Sequence, residues 1–226
     1  MTQTFRKTLV IAAHPDDEVL GVGGTIALLS GQGKDVDVLI FTDGSSTQYA
    51  GDSDILEKKF GEAHKAMEVM GARLLPRMPF PDMRLDTVAH VEKNAALGRI
   101  IQEGQYDTVF VQDHTDINRD HIEIYESTMV ACRPVPGQCV KHLLSYYVNS
   151  STEWGNQLGG KWFHPNFFVD ITETIGTKLD AMKAYQTELR EYPHPRSLEG
   201  IQNSAKYFGN TVGYAYAEPF RLIYSR

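Results

Sequence analysis

VIAAHPDDEVLGVGG, residues 10–24, decides the fold. An apolar run ends abruptly in a histidine, a proline and three consecutive acids, and apolar residues then resume. The run TLVIAA (8–13) is short and β-branched, the signature of a buried strand. Pro15 suits the first turn of a helix, where its missing N–H costs nothing. A strand-to-helix turn is therefore predicted, with a helix over 17–31 and Asp16, Asp17 and Glu18 at the positive end of its dipole. Three adjacent acids still repel one another, and burial would add a desolvation cost to each charge. Either this is an ordinary acid-rich helix start, or something positive belongs beside it.

The same alternation continues outward. DVDVLIFT (35–42), DTVFVQ (107–112), LLSYYV (143–148) and NFFVDI (166–171) read as strands, and the tail YAEPFRLIYSR as extended chain. Segments 53–70, 86–103, 121–132 and 172–190 read as helices; Ala63, Ala66, Met67 and Met70 form one apolar face that fills a core. Consecutive Tyr146 and Tyr147 should point to opposite faces of their strand. A βαβα order predicts a mostly parallel sheet sandwiched by helices, within one domain over 1–226. Ligands of such sheets bind beyond the carboxyl ends of the strands. The residues there are His14-Pro15-Asp16-Asp17-Glu18, Thr42-Asp43-Gly44-Ser45-Ser46 and the stretch DHTDINRDH (113–121).

A net charge of −7 without any basic block argues against nucleic acid or an anionic membrane as partner. No apolar run reaches the length of a signal-peptide core or a membrane span, so a cytoplasmic protein with a small-molecule partner is expected. Cys132 and Cys139 read as reduced structural thiols, and the sequon at Asn149 as coincidence.

Two His/Asp clusters at the end of one sheet can converge on one metal ion. Zinc takes imidazole nitrogen and carboxylate oxygen, and a catalytic site uses three protein ligands and leaves a position open. His14, Asp17 and His121 would supply that set.

AHPDDE after the first strand, the DH pair at 120–121, GEAHKAMEVMGA (61–72), PDMRLD from 81 and the tail YAEPFRLI together resemble the PIG-L/LmbE-like family of zinc-dependent N-acetylglucosamine deacetylases over nearly the whole chain. The resemblance implies a Rossmann-like three-layer α/β sandwich and hydrolysis of an N-acetyl group from an N-acetylglucosamine-type amino sugar or its conjugate. It makes His14, Asp17 and His121 the zinc ligands and Asp16 the general base. Asp120 would orient a histidine from behind. Two histidines and one carboxylate also suit other divalent metals.

The chain departs from the family pattern at two positions. Where some members carry a histidine three residues before the third ligand, Asn118 stands; it can donate a hydrogen bond to an oxyanion but carries no charge. Asn118, His114 or His194 would fill that role. Lys59 replaces an arginine frequent in the family, giving a point charge in place of a bidentate fork. Asp82 and Arg84 are candidates for sugar hydroxyls, or else an ordinary solvated pair. Trp154 and Trp162 flank a glycine-bearing loop suited equally to sugar stacking or to packing in a homo-oligomer.

Two other classes compete. Gly21, Gly23 and Gly24 with Asp43 suggest a dinucleotide site, but there the glycines form the turn directly after the strand, and here HPDDEVL intervenes. A noncatalytic metal-binding relative would keep the ligands without turnover. A deacylase of another N-acylated small molecule stays within the enzyme class.

Overall fold

The computed structural model of the chain describes residues 2–44, 47, 53–155 and 162–226. Its strands are β1 (Lys7–Ala12), β2 (Asp35–Ile40), β3 (Arg73–Leu74), β4 (Thr108–Gln112), β5 (His142–Tyr146), β6 (Phe167–Asp170) and β7 (Ala217–Ser225). Its helices are α1 (Asp17–Gly31), α2 (Ser53–Met70), α3 (His90–Gly104), α4 (Arg119–Ala131), α5 (Thr152–Gly155), α6 (Ile175–Ala184) and α7 (Leu198–Val212). All strands join one sheet in the order β3-β2-β1-β4-β5-β7-β6. The pairs from β3 to β5 are parallel, and β7 runs antiparallel between β5 and β6.

The expected mostly parallel α/β sandwich is what forms. Strands β1, β4 and β5 are buried along nearly their whole length because helices cover both of their faces. Side-chain alternation divides the core accordingly: Val10 packs with Val22, Ile26 and Met67, whereas Leu9 and Ile11 pack with Leu97 and Ile101. The chain builds from β1 outward to β3, then returns to lay β4 on the other side of β1. That reversal opens a crevice beyond the carboxyl ends of β1 and β4.

The glycines of α1 lie inside the helix. A Cβ at Gly21 would stand 2.2 Å from the Tyr146 ring, and one at Gly24 2.7 Å from Ile171, so they permit close packing and form no phosphate-binding turn. The tail holds the same helix: Glu218 of β7 accepts from the backbone of Gly24 and Thr25, each at 2.8 Å, and pairs with Lys178 at 2.6 Å.

Several boundaries differ from expectation. The helix expected from 86 begins at His90, after a 3-10 turn at Leu85–Thr87. The helix expected over 172–190 stops at Ala184. The sequence reading missed α7, which buries Ile201, Ala205 and Gly209 and is capped by Ser197, whose hydroxyl accepts from Gly200 N–H at 2.9 Å. Tyr146 is buried with its hydroxyl donating to Ile11 O, while Tyr147 faces Glu153. Ser45, Ser46 and most of the loop between Trp154 and Trp162 lie outside the described residues. Among the described residues no helix is long and apolar enough to cross a membrane.

Candidate active site

The turn after β1 delivers His14, Asp16 and Asp17 into the crevice. Asp16 precedes α1 with φ 116°, a conformation L-residues rarely adopt, and its N–H donates to the Glu18 carboxylate at 3.2 Å. Glu18 is itself anchored by the Tyr185 hydroxyl. Beyond β4 the chain turns through Asp116, whose Oδ1 accepts from Asn118 N–H at 2.8 Å. Asn118 Oδ1 then caps α4 by accepting from Asp120 N–H at 2.9 Å. The first turn of α4 thereby aims Asp120 and His121 at the end of β1.

Three donor atoms form a triangle. His14 Nδ1 lies 3.4 Å from Asp17 Oδ2 and 3.4 Å from His121 Nε2, and His121 Nε2 lies 3.3 Å from Asp17 Oδ2. Donors about 2.0–2.1 Å from a tetrahedral ion stand about 3.3–3.4 Å apart, so the triangle matches one face of a zinc site. Each donor is fixed from behind. His14 Nε2 is 3.2 Å from Asp120 Oδ2, and His121 Nδ1 is 3.1 Å from Asp116 Oδ2. Asp17 Oδ2 accepts from Gln112 Nε2 at 3.0 Å and from His14 N–H at 2.8 Å. A carboxylate on the far nitrogen of a histidine sets its tautomer and raises its basicity as a ligand.

The electrostatics agree with a seat for a cation. Burial opposes charge on His14, but Asp120 and Asp17 outweigh it and hold its pKa up at about 9. Burial likewise opposes ionisation of Asp17, yet His121 and His14 hold its carboxyl far below the usual range. Asp16 behaves oppositely. Burial, then the charges of Asp17 and Glu188, push it well above the ordinary carboxylate value, and Arg196 offsets them only in part.

A cavity of about 200 Å³ opens over the triangle. Of the residues singled out from sequence, Asp16, Lys59, Asp82 and Asn118 line it together with the three donors. Asp120 stands behind His14, its Oδ1 accepting from Leu85 N–H at 3.0 Å. Arg84 is exposed and outside the lining. His194 also lies outside, its Nδ1 accepting from Arg196 N–H at 3.1 Å, and His114 stacks on Tyr125 away from the cavity. Asn118 is thus the one oxyanion candidate of the three that reaches it. Its Oδ1 is committed to α4, which leaves Nδ2 as its donor.

Sequence reasoning missed four residues. Asp116 and Gln112 hold His121 and Asp17 in place, and Arg196 and Glu188 line the cavity. Arg196 Nη1 lies 3.3 Å from Asp16 Oδ2 and 2.8 Å from Glu188 Oε2, and Glu188 Oε1 lies 2.9 Å from Lys59 Nζ. Asp116 was legible as one more acid in DHTDINRDH; nothing local marked Glu188 or Arg196.

Residues 9–132 match the family model described as PIG-L: GlcNAc-PI de-N-acetylase. Diacetylchitobiose deacetylase of Thermococcus kodakarensis is 26% identical over 229 residues, spanning 96% of this chain and 83% of its own length. The 1D-myo-inositol 2-acetamido-2-deoxy-alpha-D-glucopyranoside deacetylase of Rhodococcus erythropolis is 43% identical over 240 residues, spanning 90% and 74%. Among solved structures, N,N'-diacetylchitobiose deacetylase from Pyrococcus horikoshii, complexed with its inhibitor MPG, shares the fold with a TM-score of 0.79 at 22% identity, covering 98% of this chain and 85% of that one.

Proposed function

Since the chain belongs to the PIG-L family, we propose that it is a metal-dependent N-deacetylase that releases acetate from an N-acetylglucosamine-type amino sugar or its conjugate. The observation that carries this reading is the donor triangle of His14, Asp17 and His121 with Asp16 left outside it in the same cavity.

Zinc is the ion we assign, because the spacing of the donors and their N/N/O character suit it. What an ion adds there is Lewis-acid polarisation of the amide carbonyl and of water. Asp16 takes the proton of the attacking water on its carboxylate and hands one to the departing nitrogen. Burial and the neighbouring charges of Asp17 and Glu188 raise its pKa, which favours proton uptake there, and Arg196 holds the carboxylate in place. Asn118 Nδ2 donates to the carbonyl oxygen as negative charge develops on it. Asp120 and Asp116 keep His14 and His121 oriented. Lys59 and Asp82 meet sugar hydroxyls from the cavity wall. Arg84 and His194 have no part in this scheme, since neither lines the cavity.

The test is release of free amine from a panel of N-acetyl amino sugars, with the protein metal-stripped and then zinc-restored. Zinc-dependent release is expected. Absence of release with an ion stoichiometrically bound would overturn the deacetylase reading in favour of another acyl substrate or a noncatalytic relative. Asp16→Asn is expected to retain zinc and lose turnover by about 10²–10⁴-fold; full turnover in that variant would reject Asp16 as the base.

A further inference from the structure

Among the described residues, the two permanent cations that face the cavity, Lys59 and Arg196, are already matched by the chain's own carboxylates. Lys59 Nζ lies 2.9 Å from Glu188 Oε1 and donates to Gly44 O at 3.1 Å. Arg196 Nη1 lies 2.8 Å from the other oxygen of Glu188 and 3.3 Å from Asp16. One half-buried residue, Glu188, therefore clamps the two groups that would otherwise receive an anion. Among the described residues, four carboxyl groups (Asp16, Asp17, Asp82 and Glu188) line the cavity beside those two cations.

From this arrangement we infer that the site selects an uncharged N-acetylated sugar over phosphorylated or carboxylated ones, and that Glu188 is the residue that sets the selection. The inference rests on the deacetylase reading and narrows its substrate class. An anionic group entering the cavity must leave water and either displace Glu188 from Lys59 and Arg196 or sit beside it. Either way a buried charge is left without its partner or against a like charge. A neutral sugar meets no such obstacle. Its hydroxyls are donors, and ionised carboxylates are acceptors only, so Asp82 and Glu188 present what hydroxyl groups need.

The experiment compares N,N'-diacetylchitobiose and methyl N-acetylglucosaminide with N-acetylglucosamine 6-phosphate and 1-phosphate. Two readouts are used: kcat/KM of the zinc-loaded full-length protein, and equilibrium binding of the same compounds to its Asp16→Asn variant. A preference for the neutral compounds of about tenfold or more is expected in both. Glu188→Gln should narrow that gap by improving the phosphorylated ligands. Equal or tighter binding of the phosphorylated sugars to protein with Glu188 intact would overturn the inference, and it decides the matter even if Glu188→Gln fails to fold. A folded Glu188→Gln protein with an unchanged ratio would overturn the assignment to Glu188. Preferential binding of neutral sugars without amine release from any would sink the deacetylase reading and leave the charge selection standing.

Discussion

Asp116 and Asp120 show how much of this site depends on single carboxylates outside the donor triangle. Each stands behind one histidine, Asp120 at 3.2 Å from His14 Nε2 and Asp116 at 3.1 Å from His121 Nδ1. Asp116 also accepts hydroxyls from Ser151 and Thr152, which hold it in place. Asp116→Asn removes the charge while keeping the shape. It is expected to weaken zinc binding by about 10–100-fold, measured by chelator competition, with turnover largely recovered at saturating zinc. Unchanged affinity would show that His121 needs no carboxylate behind it. The three donors and Asp16 were legible in AHPDDE and the later DH pair, because a turn that short allows its side chains few directions. Which of the acids in DHTDINRDH would meet which histidine nitrogen was not legible. That depends on the turn through Asp116 and on Asn118 as a cap, which together set the rotation of α4.

At the scale of elements, α1 is where packing demands most of the sequence. A methyl at Gly21 would meet the Tyr146 ring at 2.2 Å and the Tyr147 carbonyl at 2.8 Å, and Tyr146 is fully buried with its hydroxyl bound to Ile11 O. Gly21→Ala is therefore expected to destabilise the fold by about 1–3 kcal/mol, despite the better helix propensity of alanine, as read from urea unfolding. Helices α3 and α4 are joined differently. Buried Lys93 donates to Leu85 O at 2.6 Å and pairs with Glu123 at 2.8 Å, and Arg119 pairs with Glu123 from outside. Burial opposes ionisation of Glu123, but Lys93 and Arg119 outweigh it and hold its pKa below the ordinary 4.5. A carboxyl with a lowered folded-state pKa gives its full stabilisation above the unfolded value and loses it as the pH falls through the folded one. Acid unfolding of the parent should accordingly include a loss below about pH 4.5 that Glu123→Gln no longer shows. Helices α1 and α2 were readable to the residue, whereas α7 was not, although its apolar residues Leu198, Ile201, Ala205 and Phe208 recur at helical spacing; it packs on β7 and α6.

At the scale of the molecule, the three donors come from opposite sides of the reversal in strand order: His14 and Asp17 follow β1, and His121 follows β4. An ion held by all three ties the two halves of the parallel sheet together. Stripping the metal should lower the thermal midpoint, and zinc should restore it, by an amount that grows with free zinc and is about 2.7 kcal/mol at a hundred times Kd. A midpoint indifferent to zinc would mean that the triangle does not hold the ion in the folded protein. The sequence by itself determined the class of sheet, the position of the crevice and the gathering of His14, Asp16, Asp17 and His121 there, because these depend on strand-to-helix turns whose geometry is set within a few residues. Only the tertiary structure decided which groups stand behind the donors and which charges face them. Glu188 and Arg196 lie about 170 residues or more beyond His14 and reach the cavity through the turns between α6 and α7. No local pattern encodes an approach of that kind, for it is made by the packing of α6 and α7 against the sheet and α1, and through it the chain brings its own counter-charges to the site.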